Sequence, residues 1–468
     1  MSLRQKKYSS SFFILLFVLS LIVVWINARE QKEERPYTEI ALKLRQKGLG
    51  ELHAYAILEH LTSVGHRLPG SRQAEAAVER MRQEMEDLGF EEIHLEPTVV
   101  PKWVRGNVEE AHINSSSFGT LPLSVCAIGG SIATAEPGIS AEVLEVKSFE
   151  ALKSLGKKAR GKIIFFNRPL DPSLIDTFAS YGQAADQRVR GAAEAAKKGA
   201  VAVLVRSLTT GSDDVPHTGL MVYEPGVKKI PAACVSTKGA NLLSELLGKD
   251  PSLKVFIRLS CRQLSPVTSF NVVGQITGTE KPKEIILLGA HLDSWDFGTG
   301  AHDDGAGCAQ VVEALRLLKG LGLRPKRTVR AVLFMNEEFG GGGGKDYVKS
   351  KKRKGEKHLA AMESDRGGFL PVGIGIGGSP EVAKRFQEKH YLFEPIGIFW
   401  IRRGGGGVDI APLADSGTIT CGLVPDSQRY FDVHHSANDV IETVNPRELE
   451  LGAIVMALFA FLVAQEGI

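Results

Sequence analysis

The chain has 468 residues, of which 43% are hydrophobic and 24% are charged. This balance excludes a protein that is disordered throughout, and the length predicts one principal domain with a smaller one beside it. Residues 1–28 carry three basic side chains and no acidic ones, so the remaining residues include 54 basic and 54 acidic side chains. This even charge does not indicate a nucleic-acid partner. The cysteines are too few and too scattered for a disulfide framework, and we expect most of them in the core: Cys126, Cys234, Cys261, Cys308 and Cys421.

The N-terminal segment has the residue order of an export signal. Arg4, Lys6 and Lys7 precede an apolar run from Phe12 to Ile26, and the small residue Ala28 follows. This order predicts a cleaved secretory signal at 1–28. The alternative is an uncleaved N-terminal membrane anchor, since the run approaches the roughly 17 residues that a membrane span needs. Both interpretations place the protein outside the cytoplasm, as a secreted, periplasmic or N-terminally anchored protein.

The main domain is predicted to begin with residues 36–121. Within this part, segment 71–90 has Ser71 as an expected N-cap and Gly89 after its last turn. Its apolar residues recur at steps of three and four, which predicts a surface helix with one face on a core: Ala74, Val78, Met81, Met85 and Leu88.

Residues 122–262 are predicted to form a smaller inserted domain. Short strands are indicated by the segments "GKIIFFNRP", "AVAVLVRS" and "KIPAACVS", and a short helix by "GAAEAAKKG". A block with this many elements of its own can bury a small separate core.

Residues 263–468 are predicted to complete an α/β domain, with a mostly parallel sheet and helices on both faces. The segments "EIILLGA" and "TVRAVLFM" are continuously apolar, which is typical of parallel strands that are covered on both sides. A helix is predicted near 306–320, and a C-terminal helix from Asn445-Pro446. The apolar run 451–464 is too short for a membrane span, so we expect it to be a buried core helix.

Charged side chains collect just after the first of these strands. The stretch "HLDSWDFGTGAHDDGAG", residues 291–307, places His291 and Asp293 two residues apart, where their side chains can project to the same side. Asp303 and Asp304 stand before the predicted helix and, taken alone, would be explained as a helix cap. Ligand sites in parallel α/β sheets lie at the carboxyl ends of the strands, so this is the expected position of a site.

Three further segments add acidic and histidine side chains. "NEEFGGGGG" follows the second apolar strand and presents Glu337 and Glu338; "MESDRGG" presents Glu363 and Asp365; "FDVHHSANDV" presents His434, His435 and Asp439. Carboxylates with a few histidines suit zinc, and no cysteine lies among them. One zinc ion needs about three protein ligands, whereas two zinc ions that share a bridging carboxylate use the whole set. The sequence therefore predicts a pair of metal ions.

These four segments, in this order and spacing, resemble those of the co-catalytic di-zinc exopeptidases related to bacterial leucyl aminopeptidases, and within that family the carboxypeptidase Q-like branch. The resemblance extends from about residue 36 to the C-terminus, and the inserted block is similar to a protease-associated domain. The combination of four motifs is specific, whereas each motif alone is weak. The activity that the resemblance implies is hydrolysis of small unblocked peptides, with two Zn²⁺ ions per chain.

The resemblance also implies a role for each site residue. His291 and Asp365 would bind one zinc, Glu338 and His435 the other, and Asp303 would bridge them. Glu337 would be the general base, which takes a proton from the attacking water, and Asp293 would orient His291. Spacing alone does not distinguish Glu337 from Glu338 or His434 from His435. A cis peptide bond between Asp303 and Asp304 is implied as well.

Other nearby residues are expected outside the metal site. We expect His302, His434 and Asp296 to be neighbours of the ligands or solvated, and His66 to be structural. Asp409 stands where relatives place a pocket residue, but Ile410 replaces the histidine that many of them carry next, which puts a substrate contact in doubt. Arg366, Arg402 and Arg403 are candidates for a substrate carboxylate only by their nearness in sequence. A monomer and a homodimer both remain open.

Two alternative functions compete with the exopeptidase. A glutaminyl cyclase is expected to share this fold and to use one zinc, and the motifs alone do not exclude it. The predicted inserted domain and the segments "HLDSWD" and "HHS" favour the peptidase. A non-catalytic, receptor-like relative would be expected to lack a ligand or the base, and here both the ligand set and the base are complete. The small peptide is therefore the predicted partner, and no nucleic acid or integral membrane core is predicted.

Overall fold

The structure, a computed structural model, describes residues 37–467; the predicted export segment at residues 1–28 lies outside them. The described residues fall into two units, 37–43 and 44–467. The described part of the first unit begins helix α1. Both sheets and the predicted site residues belong to the second unit.

The described helices, in chain order, are α1 Thr38–Glu51, α2 His53–Thr62, α3 Arg72–Asp87, α4 Phe149–Leu155, α5 Thr177–Ala184, α6 Asp186–Lys197, α7 Thr237–Lys249, α8 Ala306–Gly320, α9 Gly342–Lys349, α10 Pro380–Gln387, α11 His390–Phe393, α12 Tyr430–Val433 and α13 Pro446–Glu466.

The described strands are β1 Glu91–Val104, β2 Glu109–Ser115, β3 Gly119–Pro122, β4 Val125–Ala127, β5 Ile139–Val146, β6 Ile163–Phe166, β7 Ala202–Arg206, β8 Ala232–Val235, β9 Lys254–Leu259, β10 Arg262–Ile276, β11 Lys281–His291, β12 Arg327–Phe334, β13 Lys357–Glu363, β14 Pro371–Ile376, β15 Trp400–Arg403 and β16 Ile419–Pro425.

The larger sheet carries the predicted site. Its strand order is β1-β10-β12-β11-β13-β16-β14-β15. The four central strands β12, β11, β13 and β16 are parallel to one another, and β14 and β15 form a second parallel pair. Antiparallel pairing joins β1 to β10, β10 to β12 and β14 to β16. The carboxyl ends of the four central strands therefore meet at one edge of the sheet.

Helices cover both faces of this sheet. On one face, Tyr347 of α9 packs in a cluster with Val273, Leu287 and Phe334. Gly274, whose position points to the opposite face because it follows Val273 in the same strand, lies against the Met85 sulfur of α3. The predicted α/β class is confirmed. Strand β11 is buried from Ile285 to His291, as its continuous apolar run predicted.

The second sheet has the order β3-β2-β9-β5-β6-β7-β8-β4. Its parallel strands β5, β6, β7 and β8 correspond in part to the three strand segments predicted for the inserted block. The short helix predicted near "GAAEAAKKG" begins earlier than expected, since α6 runs from Asp186 to Lys197.

Two helices follow the sequence pattern closely. Helix α3 is capped by Ser71, whose Oγ accepts a hydrogen bond from the Ala74 N–H at 3.0 Å. Helix α13 is capped by Asn445, and most of its residues are buried inside the protein. Among residues 37–467 it is the one helix long and apolar enough to cross a membrane, but its burial makes it the predicted core helix.

A buried acid pair links α8 to α13. Glu313 and Glu450 are both fully buried. Glu313 is held by Arg316, with its Nε 2.6 Å from the carboxylate, whereas Glu450 accepts from the Ala54 N–H at 3.0 Å. Burial, and then the neighbouring Glu313 carboxylate, raise the pKa of Glu450 to about 8.

This pair predicts a pH-dependent stability. The folded protein favours the protonated Glu450, so its contribution is complete below the unfolded pKa of roughly 4.3 and is lost as pH rises through about 8. Glu450→Gln keeps the shape without the charge. The melting temperature of Glu450→Gln minus that of the wild type should therefore increase by about 2 °C or more between pH 6 and pH 9. The exposed Glu442→Gln serves as control, and a gap between Glu450→Gln and wild type that is constant with pH would contradict the assignment.

Candidate metal centre and active site

The predicted site residues converge at the carboxyl ends of the central strands. His291 is the last residue of β11, Glu337 and Glu338 come shortly after β12, and Asp365 comes two residues after β13. Because these strands are neighbours in the sheet, their following loops share one edge. Asp303 is brought to the same edge by the turn before α8, and His435 by the loop after α12.

One group of donor atoms forms around His291. Its Nε2 lies 3.3 Å from Oδ1 of Asp303 and 3.4 Å from Oδ1 of Asp365. The three residues are close enough to hold one metal ion. Burial opposes a charge on the imidazole, but Asp365 and Asp303 outweigh it and raise the pKa of His291 well above its ordinary value.

A second group forms around His435 and uses the other oxygen of the same aspartate. The Nε2 of His435 lies 3.1 Å from Oδ2 of Asp303 and 3.2 Å from Oε2 of Glu338. His434 stacks on the His435 ring with centroids 3.5 Å apart, and its own Nε2 lies 3.6 Å from Oδ2 of Asp303. Asp303 thus faces both histidine groups, one oxygen toward each.

The turn that presents Asp303 is fixed by buried carboxylates. The Asp303–Asp304 peptide bond is cis, as the resemblance implied. Asp439 accepts hydrogen bonds from the N–H groups of His302 at 2.7 Å and Asp303 at 3.1 Å. Asp304 accepts from the N–H of His291 at 3.1 Å. Asp304 and Asp439 therefore orient the backbone of the site, and their carboxylates are occupied by these bonds.

Each of the two metal-facing histidines has a backbone carbonyl at its other ring nitrogen. The Nδ1 of His291 lies 3.0 Å from the carbonyl oxygen of Asp293, and that of His435 lies 3.3 Å from the carbonyl oxygen of Thr218. A carbonyl accepts hydrogen bonds only, so Nδ1 carries the proton in each ring. Nε2, which faces the carboxylates, is then the nitrogen left to bind a metal once the ion displaces its proton.

Asp293 contacts His291 through its backbone carbonyl, and its carboxylate has other partners. Its carboxylate lies 3.8 Å from Nδ1 of His291, beyond hydrogen-bond distance. Instead it accepts from three successive N–H groups, those of Asn336 at 2.7 Å, Glu337 at 3.1 Å and Glu338 at 3.2 Å. Asp293 therefore orients His291 through its backbone carbonyl and orients the Glu337–Glu338 segment through its carboxylate.

Glu337 has the environment of a proton acceptor. It is half-buried, and its side chain accepts no hydrogen bond from residues 37–467. Burial raises its pKa well above the ordinary value, and the acidic neighbours Asp365, Glu338 and Asp409 add to the rise, whereas His291 opposes it. A carboxylate with a raised pKa is a stronger base than an exposed glutamate.

The donor set fits zinc. Two buried oxygens, Oδ2 of Asp303 and Oε1 of Glu338, receive no hydrogen bond from any described residue, although His435 is in short contact with both side chains. Four carboxylates meet two imidazoles here, and uncompensated buried charge of this kind is costly. Divalent cations bound by histidine nitrogen and carboxylate oxygen neutralise it, and zinc prefers these ligands.

The other histidines and acids have structural partners. His302 accepts from the Gly368 N–H at 3.1 Å and stacks on Phe369, and burial lowers its pKa to about 4. Asp296 pairs with the Nε and Nη2 nitrogens of Arg105, at 2.9 and 2.6 Å.

Asp409 is buried beside the site. Its side chain is buried, and neither carboxylate oxygen has a hydrogen-bond partner among the described residues. The next residue, Ile410, is buried in the apolar cluster that contains Phe334 and Tyr347, and its N–H donates to the Glu363 carboxylate at 2.9 Å. The apolar side chain of Ile410 thus belongs to the core.

Three positioning residues were missed by sequence reasoning. Arg67 is buried and donates to the carbonyls of Leu292 at 2.6 Å, Thr299 at 2.5 Å and Gly300 at 2.9 Å, which fixes the loop between His291 and Asp303. Thr218 holds His435 by two contacts, since its N–H also donates to the His435 carbonyl at 2.9 Å. Arg188 donates to the Thr218 carbonyl at 3.1 Å. No local pattern singles out these residues, because each acts on a segment that is distant in the sequence or belongs to another element.

Comparisons with known proteins identify the family. The model of Peptidase family M28 matches residues 271–460. Carboxypeptidase Q of Bos taurus is 37% identical over 441 residues, which are 93% of this chain and 91% of the bovine protein. The crystal structure of a Peptidase M28 precursor from Shewanella amazonensis SB2B has a TM-score of 0.88 and 37% identity, and covers 92% of this chain and 97% of that one.

A zinc aminopeptidase from Bacillus subtilis shares the fold at 20% identity, with a TM-score of 0.62 over 87% of this chain and 94% of its own. The site and the relatives together define a metallopeptidase. The chain belongs to peptidase family M28, and the predicted family and class of enzyme, a metallo-exopeptidase, are confirmed.

Proposed function

We propose that this enzyme hydrolyses small peptides with a free amino terminus and uses two zinc ions per chain. The observation that carries the proposal is the position of Asp303, whose two oxygens face two separate histidine groups. A single metal ion would leave one of these groups without a cation. The relatives that are named for carboxypeptidase and zinc aminopeptidase activity support the same chemistry.

The ligand assignment follows the two groups. We assign His291 and Asp365 to one zinc, His435 and Glu338 to the other, and Asp303 to both. Zinc bound there would supply Lewis acidity, which polarises the scissile carbonyl and lowers the pKa of the attacking water. His434 is assigned no ligand role, because His435 contacts both Asp303 and Glu338 at shorter distances.

Glu337 would act as the general base and then as the general acid of the hydrolysis. It stands next to the Glu338 ligand on a segment that the Asp293 carboxylate holds by three hydrogen bonds. Its carboxylate takes a proton from the attacking water and passes it to the nitrogen of the leaving amine, so the peptide C–N bond breaks without a covalent acyl-enzyme. Asp293 contributes by fixing the position of this base.

Recognition of a free amino terminus is expected from the acids that are assigned no zinc. A protonated amine near Glu337 and Glu363 gains Coulomb attraction in a partly desolvated site, whereas an acetylated amine loses it and adds bulk. We expect N-acetylation of a good substrate to lower kcat/KM by at least about tenfold. A paired kinetic assay of the free and acetylated peptide measures this, and equal rates would contradict the assignment.

A panel of peptides tests the function itself. Unblocked di- and tripeptides should be cut, and a long peptide blocked at both ends should not; internal cleavage of the blocked peptide would overturn the exopeptidase proposal. A peptide with N-terminal glutamine distinguishes the alternative chemistry, because hydrolysis releases free glutamine whereas a cyclase yields pyroglutamate. We also propose that the enzyme acts outside the cytoplasm, on the basis of the signal-like residues 1–28.

A further inference from the structure

The backbone of His435 has an unusual conformation. Its φ is 60°, in the left-handed region that few residues other than glycine adopt. A residue held in such a region keeps its conformation only where the surrounding contacts fix it. His435 faces Asp303 and Glu338 through Nε2, so the contacts that fix its backbone also decide where this nitrogen lies.

The two peptide groups that flank His435 are both held by one segment, His217–Thr218. The carbonyl oxygen of His434 lies 2.6 Å from Nδ1 of His217. The carbonyl oxygen of His435 accepts from the Thr218 N–H at 2.9 Å. The orientation of the first peptide group sets φ of His435, and the orientation of the second sets ψ. The segment therefore fixes both backbone angles of this residue.

His217 acts through one nitrogen. Its side chain is buried, and a carbonyl oxygen only accepts hydrogen bonds, so Nδ1 donates its proton to the His434 carbonyl. Nε2 of His217 has no hydrogen-bond partner among residues 37–467. The polar contribution of the ring is therefore the single bond from Nδ1. An asparagine amide can make this bond, and a leucine side chain cannot.

The segment is itself anchored to the second sheet. The N–H of His217 donates to Oγ of Ser207 at 2.9 Å, and the N–H of Ser207 donates to the carbonyl of Val235 in β8 at 2.8 Å. Oγ1 of Thr218 donates to the carbonyl of Ala127 in β4 at 3.0 Å. The second sheet thus provides the support for a residue of the metal centre, which lies at the edge of the larger sheet.

The support is confined to one of the two histidine groups. Nδ1 of His291 has the carbonyl oxygen of Asp293 as its partner. Across the described residues, neither His217 nor Thr218 makes a hydrogen bond with His291 or Asp365. A change at His217 should therefore act on the His435 group and leave the His291 group in place.

We propose that His217 is a positioning residue for His435 and sets the affinity of the zinc site that His435 and Glu338 form. The inference rests on the proposed two-zinc function. Without the Nδ1 donor, the His434 carbonyl is released and the His435 backbone leaves the left-handed region. Nε2 of His435 then moves away from the carboxylates. Partners that orient a metal ligand in this way typically change metal affinity or activity by 10- to 100-fold.

Zinc titration of the metal-free protein in competition with a chromophoric chelator tests this proposal without relying on activity. The wild type should show two sites. His217→Leu should bind one zinc ion as the wild type does and the other at least about tenfold more weakly. His217→Asn restores the donor and should recover most of that affinity. His60→Leu removes a histidine from an exposed position and should match the wild type.

The outcomes separate this inference from the proposed function. If His217→Leu keeps both affinities, weakens both sites alike, or is matched in its loss by His217→Asn, the inference is overturned, while a wild type with two sites leaves the two-zinc proposal standing. A wild type that binds fewer than two zinc ions overturns both. Thermal melting checks the fold of each variant. If His217→Leu does not fold, His217→Gln replaces it, because its amide lies at the position of Nε2 and should show the same selective loss.

Discussion

Glu337→Gln should lower kcat by roughly 100-fold or more while the zinc content stays at the wild-type level. Glutamine keeps the shape of the side chain and removes the proton acceptor. The effect is expected to be large because the carboxylate has a raised pKa and, within residues 37–467, makes no side-chain hydrogen bond that a different role would require. Steady-state kinetics and metal analysis on the same preparation measure both quantities.

The matched variant is Glu338→Gln, one residue further along the same segment. Glu338 is in contact with His435 at 3.2 Å, and its Oε1 is buried without a hydrogen bond from the described residues, so this change should lower zinc content at one site. The two variants differ by one position and have the same charge. If Glu337→Gln loses zinc and Glu338→Gln loses only turnover, the two roles must be exchanged.

Asp303→Asn should abolish measurable activity and lower the zinc content of both sites. Each carboxylate oxygen of Asp303 faces a different histidine group, at 3.3 Å and 3.1 Å, and an amide offers only one oxygen. Loss of a residue that merely orients a ligand already costs roughly 10- to 100-fold in metal affinity or activity, and Asp303 is proposed to be a ligand itself. We therefore expect a fall in kcat/KM of at least about 1000-fold.

Asp415→Asn is the control for this change, because it removes one carboxylate from an exposed position. It should keep the zinc content and the rate of the wild type. Wild-type turnover in Asp303→Asn at saturating zinc would show that the bridge is not needed.

The parts of the site that sequence predicts are those set by local pattern. Strands β11 and β12 are continuously apolar, so their ends could be located, and with them His291, Glu337 and Glu338. The cap Ser71 and the buried face of α3 follow from helical spacing in the same way. Parallel pairing then brings the loops to one edge.

The parts that sequence did not predict depend on contacts between distant segments. The Asp293 carboxylate was expected at His291, but three N–H groups on the later segment after β12 bind it more closely. Thr218 reaches His435 from a different part of the chain. The pairing of β1 with β10 was not predicted either, because residues 105–261 separate these two strands in the sequence. Periodicity describes which face of an element is buried, and it does not describe what that face meets.

Titration of metal-free enzyme with zinc, followed by peptide hydrolysis, tests the central claim most directly. Protein stripped by a chelator should be inactive, and activity should return to a plateau as about two zinc ions bind per chain, because two donor groups share Asp303. Asp303→Asn, titrated in parallel, should show no such plateau. Full activity of the metal-free protein, or a plateau reached at one zinc ion per chain with no further change, would contradict the account.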